Sequence, residues 1–149
     1  MAQVARVTGL RELDRALAKF PAKLARKVFR KAGSKAAEPI RKAARARVRS
    51  QFQEQTGKLA RGIKKQIKIK SLGARGTRLR VKVGLSPVGS KVKTSESVFY
   101  GRFLEKGTIN ITADPFIEPA FDARAGEALR IFQSELRKGI DSAAREARR

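Results

Sequence analysis

Apolar residues recur three or four positions apart through the first fifty residues, which is the spacing of one face of an α-helix. The spacing first holds for Leu10, Leu13, Leu17 and Phe20, and it predicts a helix behind an N-terminal arm within residues 1–20. From residue 21 to 52 it continues through Leu24, Val28, Ala32, Ala36, Ile40, Ala44 and Val48. This pattern predicts a long helix, and Pro39 inside it is expected to kink or split the helix near Ala36 to Glu38.

Between residues 59 and 85 the pattern changes to alternation, which indicates strands with one apolar face. The apolar positions are Ile63, Ile67 and Ile69 in the first run and Leu79, Val81, Val83 and Leu85 in the second. We expect the two runs to pair as an antiparallel hairpin around a turn at residues 71–76. Residues 86–97, which are polar and rich in Ser, Gly and Pro, are expected to form a mobile loop.

Residues 98–149 are predicted to form two parts, a corner at Val98–Phe121 and a last helix that follows it. The stretch Val98–Phe121 holds four of the eight Phe, the only Tyr and two of the five Pro. It reads as a strand, a turn at Gly107–Thr108, and a helix that Asp114 caps and Pro115 begins. Helical spacing then runs through Ala125, Leu129, Phe132, Leu136, Ile140 and Ala143.

Together these elements predict one α+β domain over residues 1–149. It has N-terminal helices, a small antiparallel sheet, and a long C-terminal helix packed on the sheet.

Charge is distributed very unevenly along this chain, whose net charge is +23. Residues 1–100 carry 27 basic and 5 acidic residues, whereas residues 101–149 carry 9 and 8. On the predicted strands the basic residues share the face opposite the apolar one. They are Lys68, Lys70, Arg78, Arg80 and Lys82. Because like charges opposed across a strand pair destabilise it, this face is expected to meet DNA, an acidic partner or water.

Three interpretations of the basic surface stay open. It can be a solvated face without a partner. It can bind nucleic acid through phosphates, without sequence specificity and with strong salt dependence; the absence of aromatics between the basic residues argues against a single-strand or RNA reader. It can also orient an acidic protein partner by complementary charge.

The residue types present exclude most active-site chemistry. Because the chain has no Cys and no His, it lacks thiolates and the commonest general base. No carboxylate cluster suggests a Ca²⁺ or Mg²⁺ site. The lone acid Glu105 is expected to accept hydrogen bonds from backbone N–H groups or to pair with an Arg. We therefore expect no enzyme activity, metal, cofactor or small-molecule substrate, and the lack of a long apolar run predicts no membrane partner.

The stretch YGRFLEKGT followed by A-x-PFIEPAF resembles the signature of phage tail-completion proteins, also called head–tail joining or neck proteins, of lambda-like long-tailed phages. The matching positions are Tyr100, Gly101, Phe103, Glu105, Gly107, Thr108, Ala113, Pro115, Phe116, Pro119 and Ala120. Two further pieces match in the same order. They are Val7-x-Gly9-Leu10-x-Glu12-Leu13 and Gln55-Thr56-Gly57-x-Leu59.

The resemblance implies a structural virion protein that forms a ring, expected to be a hexamer, between the portal-side connector and the tail tube. Its partners would be copies of itself, neighbouring connector and tail-terminator or tail-tube proteins, and DNA passing through the channel. It would assemble in the host cytoplasm. The corner residues would seat one subunit on the next, or form core: Tyr100, Phe103, Glu105, Gly107, Thr108, Pro115, Phe116 and Pro119. The alternative, which belongs to a different functional class, is a basic architectural nucleic-acid-binding protein.

Overall fold

The structure is a computed structural model that describes residue 15 and residues 22–52, 57–71, 77–85 and 100–146. Its elements are α1 (Ala22–Gln51), α2 (Lys58–Gly62), β1 (Ile63–Ser71), β2 (Thr77–Leu85), α3 (Gly101–Lys106) and α4 (Glu118–Glu146). The predicted α+β class is confirmed, and the domain is mostly helical. The predicted N-terminal arm and first helix, apart from Arg15, and the predicted loop at residues 86–97 lie outside the described residues.

The long helix α1 forms because small and branched apolar residues line one side of it. Its buried positions are Val28, Ala32, Gly33, Ala37, Ile40, Ala44 and Val48. The helix is unbroken over its 30 residues, with Pro39 inside it; of the predicted kink or split, the split is therefore wrong. Proline removes one helical hydrogen bond, but Ala37 and Ile40 on either side of it are both buried. Tertiary packing therefore holds both halves in one helix.

The predicted hairpin is confirmed as an antiparallel pair running from Ile63 opposite Leu85 to Ser71 opposite Thr77. Its apolar side faces α1 at Gly33, where an added Cβ would lie 3.0 Å from Val81 Cγ2. The missing side chain thus lets the helix lie close to the sheet. Residues 58–62 form the short helix α2 rather than part of a strand.

The C-terminal helix α4 packs mainly along α1, and α1 also packs against the sheet. One core cluster joins the end of α1 to α2, β1 and the start of α4. It contains Ala44, Val48, Leu59, Ala60, Ile63, Phe116 and Ala120. A second cluster joins the other ends of the two long helices through Val28, Ala32 and Leu136. Between β2 and α4 the structure leaves a groove.

One lysine lies in the apolar row of the hairpin, opposite Val83. The Nζ atom of Lys65 donates to Glu38 Oε2 at 2.8 Å and to the Ser34 carbonyl at 3.0 Å. Arg41 forms a second ion pair with Glu38. The hydrogen bond from Lys65, against the opposing effect of burial and with help from Arg41, lowers the pKa of Glu38 to about 2. This carboxylate therefore ties the sheet to α1.

The lowered pKa of Glu38 predicts a specific loss of stability in acid. The folded protein favours the charged carboxylate, so the stabilisation is complete above the ordinary pKa of 4.5 and is lost as the pH falls towards about 2. Urea unfolding of the unmodified protein and of Glu38→Gln measures it. We expect the difference in unfolding free energy between them to shrink over this interval. A pH-independent difference would contradict the role of this ion pair.

Candidate functional site

The corner begins with the short helix α3, where the sequence predicts a strand. Its first turn is closed by the Phe103 and Leu104 N–H groups, which donate to the Tyr100 carbonyl at 3.0 and 3.3 Å. The Gly107 N–H donates to the Phe103 carbonyl at 2.8 Å. Gly107 then takes a φ of 70°, and this left-handed backbone ends the helix.

Glu105 joins α3 to the start of α4. Its carboxylate accepts hydrogen bonds from the backbone N–H of Phe116 at 2.9 Å, of Ile117 at 3.0 Å and of Glu118 at 3.0 Å. N–H groups at a helix start lack helical acceptors, and the helix dipole favours a negative charge there. The prediction that Glu105 accepts hydrogen bonds from backbone N–H groups is confirmed.

The predicted helix start at Asp114 and Pro115 is wrong, because α4 begins at Glu118. The Asp114 side chain instead accepts a hydrogen bond from Gln51 Nε2 at 3.0 Å, and the Asp114 N–H donates to the Leu104 carbonyl at 2.8 Å. The residue that caps α4 is thus Glu105, a side chain from another element.

Phe116 anchors the corner in the core. It is fully buried, and its ring meets Phe52 edge to face at a centroid distance of 6.0 Å. Gly101 is buried next to Leu59 and Leu85, and an added Cβ would lie 2.5 Å and 2.7 Å from their Cδ1 atoms. The corner is therefore fastened to the end of α1, to α2 and to β2.

The predicted corner residues divide into two groups. Glu105, Gly107, Pro115, Phe116 and Pro119 are buried or half-buried.

Tyr100, Phe103 and Thr108 are exposed. Phe103 is 44% exposed, so the expectation that it forms core is wrong. A role for these three residues in seating a neighbouring subunit stays a prediction.

The turn predicted at Gly107–Thr108 is present and extends to Ile111, but the sequence did not predict the exposed side chain at its tip. The Thr108 N–H donates to the Ile111 carbonyl at 2.8 Å, and the Ile111 N–H donates back to the Thr108 carbonyl at 3.3 Å. At the tip of this turn the side chain of Ile109 is fully exposed. An isoleucine between polar residues carries no periodic signal, so its exposure appears only in the folded chain.

Replacing Gly107 by Ala is expected to destabilise the domain by about 1–3 kcal/mol. The position requires a positive φ, and the new Cβ would lie 2.9 Å from the Ala113 nitrogen and the Ile111 oxygen, both backbone atoms. Gly126→Ala is the matched control, because a Cβ there meets nothing within 4 Å. In the helix interior we expect it to stabilise by about 0.5–1 kcal/mol. Thermal unfolding that moves both variants in the same direction would contradict this assignment.

The basic face predicted on the hairpin is present, and its cations oppose one another. Lys68 lies opposite Arg80 and Lys70 opposite Arg78. We call this surface the outer hairpin face; its cations are Lys64, Lys68, Lys70, Arg78, Arg80 and Lys82. All six are exposed, and within the described part of the chain none forms an ion pair. Its positive charge is left for water or an anionic partner.

Within the described ranges, no three acidic, His or Cys residues are placed to hold a metal ion. Within the same ranges, no helix combines the length and apolar character that crossing a membrane requires.

Comparison with known proteins identifies one family. The family model described as "Bacteriophage HK97-gp10, putative tail-component" matches residues 11–107, which is about two thirds of the chain. The matched part contains α1, the hairpin with its outer face, and α3, and it ends at Gly107. Neither the curated protein sequences nor the solved structures gave a match.

Proposed function

Because the chain belongs to the HK97-gp10-like family of bacteriophage tail components, we propose that it forms a ring at the head–tail interface. As a tail component it is a virion protein that associates with other tail or neck proteins. More specifically, we propose that the ring completes the tail and joins it to the DNA-filled head. It would act by surface complementarity, without a chemical step.

The observation that carries this proposal is the outer hairpin face. Six exposed cations lie on two adjacent strands, and four of them are directly opposed in two pairs, an arrangement that destabilises a strand pair. The domain keeps this arrangement without acidic partners among the described residues. A structural protein placed between other rings, or around DNA, would compensate this charge on assembly.

Inactivating the gene in the phage tests the proposed position. We expect DNA-filled heads and separate tails that do not join, seen by electron microscopy of the lysate. Adding the purified protein to these parts should restore complete particles. Complete infectious particles without the protein, or a failure confined to DNA packaging, would overturn the proposed role.

A second candidate function is architectural binding of nucleic acid, which the same face favours. If all six cations engage phosphates, the logarithm of the DNA affinity should fall with the logarithm of salt concentration with a slope of about −5. Such binding by a monomer or dimer, together with normal head–tail joining in the absence of the gene, would favour this candidate.

Charge reversal at Arg78, Arg80 and Lys82 is expected to weaken DNA or partner binding at least tenfold, because it removes three cations and adds three anions. The fold should survive, since the three side chains are exposed. The matched control reverses Arg30, Arg47 and Arg49, which are exposed on α1 and change the net charge equally. Filter binding or pull-down measures the effect. Equal losses in both variants would assign the effect to net charge and reject a specific role for the hairpin.

A further inference from the structure

The outer edge of β2 is unpaired in the described part of the chain. The hairpin is a sheet of two strands, so β2 pairs with β1 along one edge only. Alternate residues of an antiparallel strand turn their backbone N–H and C=O groups to the opposite edge. No other described segment donates to these groups or accepts from them. An edge of this kind is a template for a further strand.

Open space lies beside this edge. Val81, Lys82 and Val83 all border a groove of about 480 Å³ between β2 and α4. Because successive side chains of a strand point to opposite faces, a space that touches three residues in a row reaches the edge of the strand. The inner-side residue Val81 is 37% exposed, whereas Ile67 and Ile69 on the inner side of β1 are half-buried. The apolar side of the hairpin is therefore left uncovered at β2.

Charge indicates which kind of strand fits the edge. On the outer hairpin face, β2 presents Arg78, Arg80 and Lys82, which are exposed and form no ion pair with the described residues. A strand added beside β2 places every second side chain next to these cations. Carboxylates at those positions form favourable cross-strand pairs with them. The side chains between the carboxylates lie on the inner side, where apolar residues would cover Val81 and Val83.

Two other occupants would satisfy only part of this surface. Duplex DNA offers phosphates to the cations but no backbone groups to the unpaired edge. The hairpin of a second copy offers the backbone groups but brings six more cations to the same face. Only an extended chain that carries carboxylates on one side satisfies the edge and the cations together.

The acids of α4 restrict where the carboxylates of such a chain can lie. Glu118 and Asp122 are exposed and form no ion pair with the described residues. They follow Ile117 and Phe121, which line the groove on the inner side of the hairpin. Like charges placed close together repel each other, so acids on the inner side of an added strand are disfavoured. The fitting sequence therefore alternates and is not acidic throughout.

We propose that β2 receives an extended segment of another virion protein in which carboxylate and apolar side chains alternate. The segment pairs with β2 as a third strand and adds backbone hydrogen bonds, which is a common mode of peptide recognition. Its carboxylates lie beside Arg78, Arg80 and Lys82. This inference deepens the proposed function and rests on it for the identification of the partner as a tail or neck protein.

A fluorescent nine-residue peptide that alternates glutamate and valine tests the added strand. Fluorescence anisotropy with the full chain measures its dissociation constant. Two derivatives carry N-methyl groups, one on its odd-numbered and one on its even-numbered backbone nitrogens. Because alternate N–H groups point to opposite edges of a strand, only one derivative should lose affinity, by about tenfold or more. Equal affinity of both derivatives and the parent peptide would overturn the strand pairing.

Charge reversal tests the position of the carboxylates. Arg80→Glu should weaken binding of the parent peptide about tenfold, because it places an acid beside the acids of the peptide. Arg30→Glu is the matched control, since Arg30 is exposed on α1 and its reversal changes the net charge equally. It should weaken binding by less than about threefold. Thermal unfolding verifies that both variants fold, and equal losses of affinity would overturn the assignment to β2.

Amide hydrogen exchange of the full chain identifies the edge that is used. Peptide binding should slow exchange at alternate residues of β2. Slow exchange there without peptide, increasing with protein concentration, would show that copies of the chain pair at this edge and would overturn the acidic partner. Displacement of all three peptides by duplex DNA, with equal affinities among the peptides, would assign the surface to DNA and overturn it as well.

The inference and the proposed function can fail separately. Absence of peptide binding, together with heads and tails that stay separate when the gene is inactivated, would overturn the added strand and leave the proposed function standing. Peptide binding with the expected N-methyl pattern, together with normal joining in the absence of the gene, would support the added strand and overturn the proposed function.

Discussion

Replacing Phe116 by alanine is expected to lower the free energy of unfolding by about 4 kcal/mol. The ring is fully buried among residues from α1, α2, β1 and α4, and it meets Phe52 edge to face at 6.0 Å. Truncation removes apolar burial, opens a cavity and deletes this aromatic contact. Chemical denaturation monitored by circular dichroism measures the loss.

Two other phenylalanines of the same segment serve as controls for Phe116. Phe103 and Phe121 are 44% and 47% exposed, so Phe103→Ala and Phe121→Ala should each change stability by about 1 kcal/mol or less. Equal losses for all three variants would show that Phe116 does not anchor the core alone. Retained stability of Phe116→Ala would contradict its burial.

Replacing Glu105 by alanine is expected to destabilise the domain by about 3 kcal/mol, because three backbone N–H groups lose a charged acceptor. The donors are Phe116, Ile117 and Glu118, at 2.9 to 3.0 Å from the carboxylate. The effect should appear first as fraying of the corner and the start of α4. Amide hydrogen exchange at residues 116–118 measures it directly.

Glu105→Gln is the matched control for this cap. The amide keeps the shape and one acceptor oxygen but loses the charge, so it should recover part of the stability lost in Glu105→Ala. Unchanged exchange at residues 116–118 in the alanine variant would contradict the cap. An equal loss in both variants would show that the charge, rather than the acceptor geometry, provides the stabilisation.

The periodicity of apolar residues was sufficient to predict the long helix α1 and the hairpin. The four-residue recurrence in α1 and the alternation in the hairpin specify which side of each element is apolar, and burial follows from that. The same alternation placed the cations of the outer hairpin face together. It also placed Lys65 among apolar residues, where only the position of Glu38 on α1 shows how the charge is paired.

The corner shows which features cannot be predicted from residues that are neighbours in sequence. Asp114 followed by Pro115 is a common helix start, yet the cap of α4 comes from Glu105, eleven residues before Phe116. Which carboxylate reaches the free N–H groups depends on how α3 lies against the core. Residue type alone likewise did not distinguish Phe116, which is buried, from Phe103, which is exposed.

The amino-acid sequence by itself determined the class of the fold, the polarity of each long element and the concentration of positive charge in the first hundred residues. These properties depend on residues near one another in the chain. The tertiary structure alone decided the packing of α4 on α1, the cap at Glu105, the groove beside β2 and the exposed tip at Ile109. Each of these depends on distances between segments far apart in sequence, and only the packed core sets those distances.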